Sequence, residues 1–157
     1  MNDVILLQDN DLTSNTLLGG NIDVDRFRYC ILDAQASKLE VIYGDELYAK
    51  MIADFGTYAG EYLTLYNNYH RPFLIAQAAV EYLLVGAYQV ANAGIFKTTP
   101  QNGSPTDKVE NDYLVKNYKL KAKMYEERLV RYLSGSGIAE YTNTSVNCSG
   151  YNSGDWV

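Results

Sequence analysis

His70 is the one histidine of the chain, and it stands directly before Arg71 and Pro72 at the head of an apolar segment. A histidine serves as a general base when a Ser, Cys or carboxylate is arranged beside it. No such group is clustered with His70, and we read it as structural. Asp9-Asn10-Asp11 has the opening spacing of a calcium loop, which then needs Gly for its turn and a bidentate Glu at its end. Ser14 and Gly20 occupy those two positions. Asn21, Asp23 and Asp25 fail in the same way, with Arg26 at the Gly position. These acids read as helix caps. Gly19-Gly20 and Ser134-Gly135-Ser136-Gly137 lack the flanking residues of a phosphate cradle. Cys30 and Cys148 are far apart and give neither a disulfide framework nor a zinc site. The sequons at Asn143 and Asn147 matter only in a secreted chain. No catalytic constellation, metal site or cofactor motif emerges, so the expectation is a non-enzyme that needs no cofactor.

Charge narrows the partners. The 157 residues carry a net charge of −6. Residues 1–70 hold 11 acidic and 4 basic side chains, whereas residues 71–157 hold 8 and 9. An acidic chain does not bind DNA by counterion release, so DNA is not expected as a direct partner. Lys116, Lys119, Lys121, Lys123, Arg128 and Arg131 form a basic run, but Glu126 and Glu127 dilute it. With no Gly-rich or stacking platform beside it, the run reads as a solvated helix face, or as one meeting the acidic half of a neighbour. A chain acidic in one half and balanced in the other can pack head to tail with its own copies.

These residues need elements to hold them, and the hydrophobic pattern is that of a mainly α fold. We expect a bundle of about four helices over residues 22–134, an extended N-terminal arm over 1–21 and an irregular C-terminal tail over 135–157. The first helix starts near Asp23 or Asp25 and places Phe27, Ile31, Ala34, Lys38 and Ile42 at helical spacing until Gly44 stops it. A short helix from Asp45 carries Leu47, Tyr48, Met51, Ile52 and Phe55. Residues 56–66 are read as helical despite Gly56 and Gly60. Pro72 opens a central helix that runs to Asn92, about 31 Å at 1.5 Å per residue, with Gly94 as its stop. Its length would span a bilayer, but Gln77, Glu81, Gln89 and Asn92 interrupt it and basic flanks are missing, so it reads as a buried core helix. After a loop over 95–105, a cap at Thr106 or Asp107 opens a last helix reaching Leu133. Its inner stripe is Val115, Tyr118, Ala122, Tyr125, Leu129 and Tyr132.

Both ends look for something to bind. Val4, Ile5, Leu6 and Leu7 form an apolar run that suits a short strand, and such a strand needs a sheet edge or groove, its own or a neighbour's. The N-terminus has no basic region and too short an apolar run for a signal peptide. Tyr141, Tyr151 and Trp156 are aromatic anchors spaced through a polar tail that is expected to order on a partner, the alternatives being docking on the chain's own core or a frayed terminus. These seven residues are the candidate contacts to neighbouring subunits or to a portal. The chain has 15 Tyr against 4 Phe and 1 Trp. Tyr combines a large apolar ring with a hydroxyl that tolerates water, which suits surfaces that are wet in one state and covered in another.

Asp33-Ala34-Gln35, Gly44-Asp45-Glu46-Leu47-Tyr48, Tyr69 before Pro72, Asn92-Ala93-Gly94-Ile95, Ala122-Lys123-Met124-Tyr125, Arg128-Leu129 and Tyr132-Leu133 occur in that order. The series, over about residues 20–134, resembles the small head-tail adaptor, or ring, proteins of tailed phages infecting Bacteroidetes, crAss-like phages included. The resemblance implies a virion protein of the neck, made in the host cytoplasm, that forms a ring of twelve copies under the portal. It implies contacts with other neck or tail proteins, DNA only as passing cargo, no membrane, no catalysis and no cofactor. The Asn/Ser/Gly-rich tail extends beyond the family core. An acidic lumen would let DNA slide without sticking. A stopper or tail-completion subunit of another ring, or a helical DNA-packaging accessory protein, are the alternatives.

Overall fold

Phe27, Cys30, Ile31 and Ala34 recur at the spacing of one helix face, and all four are buried on α2 (Val24–Ala34). The chain's computed structural model describes residues 4–8, 10–16, 24–85, 88–91, 94–97 and 108–141. The fold is mainly helical. After α2 the backbone widens into a π turn, Gln35–Leu39, and continues as α3 (Glu40–Ala53). Gly44 breaks this run at φ 73°, ψ 169°, a conformation that L side chains rarely adopt. The expected stop at Gly44 is therefore a kink between two helices. Leu47 and Met51 are buried beyond it, with Tyr48, Ile52 and Phe55 packed at the edge of the core.

A turn leads to α4 (Gly60–Leu65), a second π turn (Tyr66–His70) and α5 (Arg71–Val85), joined as one helical run. Two expectations change here. Pro72 does not open the central helix; it lies inside a run that began at Gly60. A proline within a helix lacks an amide and crowds the preceding turn, and the π turn just before Pro72 is a recognised way to relieve that strain. The helix also ends at Val85, not Asn92. Tyr88–Ala91 and Gly94–Lys97 instead form an antiparallel pair, β1 and β2, with Tyr88 opposite Lys97 and Ala91 opposite Gly94. Tyr88, Val90, Ile95 and Phe96 favour a strand, and Asn92-Ala93-Gly94 suits the connection between two strands. Part of the loop expected from residue 95 is thus β2.

The last helix, α6, spans Lys108–Gly135, close to the expected bounds; the proposed caps Thr106 and Asp107, like Asp23, lie outside the described residues. Val115, Tyr118, Ala122, Leu129 and Leu133 are its buried face. Every residue from Phe73 to Val80 is buried, because α5 packs against both α2 and α6. Gln77 is the polar member of that stretch and donates a 3.1 Å hydrogen bond to Glu81. No helix among the described residues is long and apolar enough to cross a membrane.

The described residues before α2 and after α6 fold back onto this core. Val4 to Leu7 is irregular, not a strand, and is followed by a short helix, α1 (Asp11–Asn15). Leu6, Leu7 and Leu12 are buried in the core, each stabilising by about 1.5–3 kcal/mol through burial. Beyond α6, Ile138 is buried and Ala139–Tyr141 forms a 3₁₀ turn against α3. The core thus reaches past the expected boundary at residue 134.

Candidate functional site

The N-terminal segment is held by side chains that stand in for a strand partner. The Leu6 amide donates to Gln35 Oε1 at 2.7 Å, and Gln35 Nε2 donates to the Val4 carbonyl at 2.9 Å. His70 Nε2 lies 3.1 Å from the Leu6 carbonyl. A carbonyl only accepts, so Nε2 carries the proton and Nδ1 accepts from the Tyr43 hydroxyl at 2.8 Å. Gln35 opens one π turn and His70 closes the other, so the two irregular turns deliver the two side chains that read the Leu6 backbone.

Burial sets the protonation of this cluster. It pushes the His70 pKa down to about 4, the Leu6 bond opposing and nearby Arg71 assisting. Burial also raises the Tyr43 hydroxyl well above its usual range, so it stays a donor. Next in the chain, Arg71 forms a salt bridge with the buried carboxylate of Asp11, with Nε 3.3 Å from Oδ2, and the Gln8 amide donates to Oδ2 at 2.9 Å. The acid considered for a calcium loop is therefore satisfied by a cation and an amide. Among the described residues, no group of three or more His, Cys, Asp or Glu could hold a metal ion.

The outer side of α6 is different. Val109, Tyr113, Leu120 and Met124 are between 47% and 72% exposed. At 3.6 residues per turn they fall within an arc of about 60°, roughly opposite the buried face. The helix is apolar on two sides, and among the described residues only one of them packs against the rest of the chain. Lys116 and Lys123 flank the outer stripe, and all of Lys116, Lys119, Lys121, Lys123 and Arg131 are exposed, as expected for the basic face. The spacing of 4, 7 and 4 residues between the stripe's members was readable in the sequence, but the lysines between them masked it.

Five of the seven sequence-predicted contacts fall among the described residues. Leu6 and Leu7 are enclosed by the chain's own core, so of the two hosts considered for this run, its own groove is the one observed. Val4 and Ile5 are half-buried beside them. Tyr141 is half-buried at the other end of the chain, next to Glu140, which accepts a 2.6 Å hydrogen bond from Tyr62. That bond raises the Tyr62 pKa to about 12 and lowers that of Glu140. Tyr151 and Trp156 lie outside the described residues. Most tyrosines near this end join elements: Tyr69 and Tyr132 stack with centroids 4.2 Å apart, and Arg128 lies over Tyr69 and Tyr125.

A family model described as a family of unknown function, DUF6712, matches residues 39–151. The chain belongs to the DUF6712 family. No curated protein and no solved structure matches it. The DUF6712 region takes in the Gly44 kink, His70, the hairpin and all of α6, and leaves Gln35 and the N-terminal segment outside it.

Proposed function

We propose that this chain is a structural subunit of a head-to-tail connector ring in a tailed phage, docking under the portal around the DNA channel. The observation that carries the reading is the second apolar face of α6. Single exposed apolar residues are ordinary, but four in one column on a 28-residue helix, opposite a complete core face, suit a surface covered in an assembly. The resemblance to phage adaptor proteins supplies the kind of assembly. Its segments sit at structural landmarks: Asp33-Ala34-Gln35 enters the first π turn, Gly44 is the kink, and Gly94-Ile95 begins β2.

The polar clusters fit a structural role. His70, Tyr43, Gln35 and Arg71 satisfy one another, Asp11 and the Leu6 backbone, so their donors and acceptors fix the N-terminal segment in place. The test is incorporation. A tagged chain expressed during infection should co-purify with portal protein, and a Tyr113→Ser/Leu120→Ser variant with an unchanged circular dichroism spectrum should not. Wild-type chain recovered without portal, or a stripe variant incorporated as well as wild type, would count against the reading.

A further inference from the structure

The outer face of α2 and the π turn after it forms a second column. Tyr29, Asp33, Ser37 and Val41 follow at four-residue intervals, and Tyr29 and Val41 are 64% and 65% exposed. Four-residue steps drift around a regular α-helix, but the wider Gln35–Leu39 turn slows that drift, so the column stays on the side away from Phe27, Ile31 and Ala34. Asp33 lies within it, Glu40 and the exposed Lys38 lie beside it, and across residues 24–65 there are 7 acidic and 4 basic side chains. The α6 stripe has the opposite character: its apolar residues are flanked by Lys116 and Lys123, and residues 108–135 hold 7 basic and 4 acidic side chains.

α5 lies between α2 and α6, and each outer column faces away from it. They are therefore two separate surfaces of one molecule. From this we infer that the α6 stripe of one copy packs on the α2–α3 column of the next. The occupant is a second copy because the charge around its α2–α3 column is of the right sign and Tyr29 and Val41 offer exposed apolar surface to the stripe. A symmetric α6-to-α6 dimer would instead bring Lys116 and Lys123 against like charge. Contact between two different patches is heterologous, and such contacts repeat until they close a ring or extend a filament. The same pairing covers Lys116 and Lys123 and leaves other surfaces for the channel.

This inference rests on the connector reading, and charge reversal separates the two. Sedimentation of the purified full chain should show association that rises with concentration. Lys116→Glu/Lys123→Glu places acid on both columns, and Asp33→Lys/Glu40→Lys places base on both. Each variant alone should raise the concentration for half-association by about tenfold or more, and an equimolar mixture of the two should restore it. Tyr29→Ser should weaken association with no charge change, and circular dichroism checks that every variant folds. Association unaffected by the reversals, or weakened but not restored on mixing, would overturn the pairing while leaving the connector reading in place. A wild-type chain that stays monomeric at every concentration would also overturn it, and co-purification with portal then judges the connector reading separately.

Discussion

Acidification should loosen the chain through His70 before most carboxylates titrate. The imidazole is buried and neutral, with a pKa of about 4, against an ordinary value near 6.5 in the unfolded chain. A depressed folded pKa means the unfolded chain takes up the proton first. Stability is then fully present above about pH 6.5, falls as the pH drops, and levels off below about 4. The gap of about 2.5 units is worth roughly 3 kcal/mol in all, and about 2 kcal/mol of it is lost by pH 5. The assay is urea unfolding followed by circular dichroism from pH 7.5 to 5, comparing wild type with His70→Gln. The glutamine amide can still donate to the Leu6 carbonyl but does not titrate. Its stability is lower at pH 7.5, and the difference from wild type should shrink by about 2 kcal/mol at pH 5. Two curves that run parallel across this range would refute the buried, neutral imidazole.

Other perturbations separate satisfied from unsatisfied groups. Tyr43→Phe leaves His70 Nδ1 without its donor and should cost about 1–3 kcal/mol, measured by the same unfolding. Tyr66→Phe should be neutral or slightly stabilising, because the Tyr66 hydroxyl is buried with no hydrogen-bond partner among the described residues. Arg71→Ala strands the Asp11 carboxylate and should cost about 3 kcal/mol, with Asp11→Asn in the same chain recovering part of it. Val109→Ser, on the outer stripe, should change stability by no more than about 0.5 kcal/mol, so any loss of assembly would be a surface effect.

Much of the fold was readable because periodic burial and strong punctuation agreed. Phe27, Ile31 and Ala34 marked the inner face of α2, Gly44 marked the kink, and the stripe from Val115 to Leu129 marked α6. The hairpin was missed because residues 72–92 are mostly apolar in a way that fits a helix, and only pairing with Gly94–Lys97 makes Tyr88–Ala91 a strand. Pro72 misled because the π turn that accommodates it has no sequence signature of its own. The outlines of the interaction site were less legible. The apolar run at Val4 to Leu7 was correctly seen to need a groove, but the groove is built by Gln35 and His70, about 30 and 64 residues away. Such a pairing follows from tertiary packing, which no local pattern encodes. The α6 stripe lay in plain view, yet lysines within the same turns drew the reading to charge, as a solvated face or one meeting the acidic half of a neighbour, and not to its apolar residues.

The connector claim is tested most directly by the mass of the complex that a tagged copy brings down when phage-infected cells are lysed gently. A ring-sized particle holding many copies of the chain together with portal protein is the expected result. A single chain, or one bound only to nucleic acid or to host protein, would contradict it.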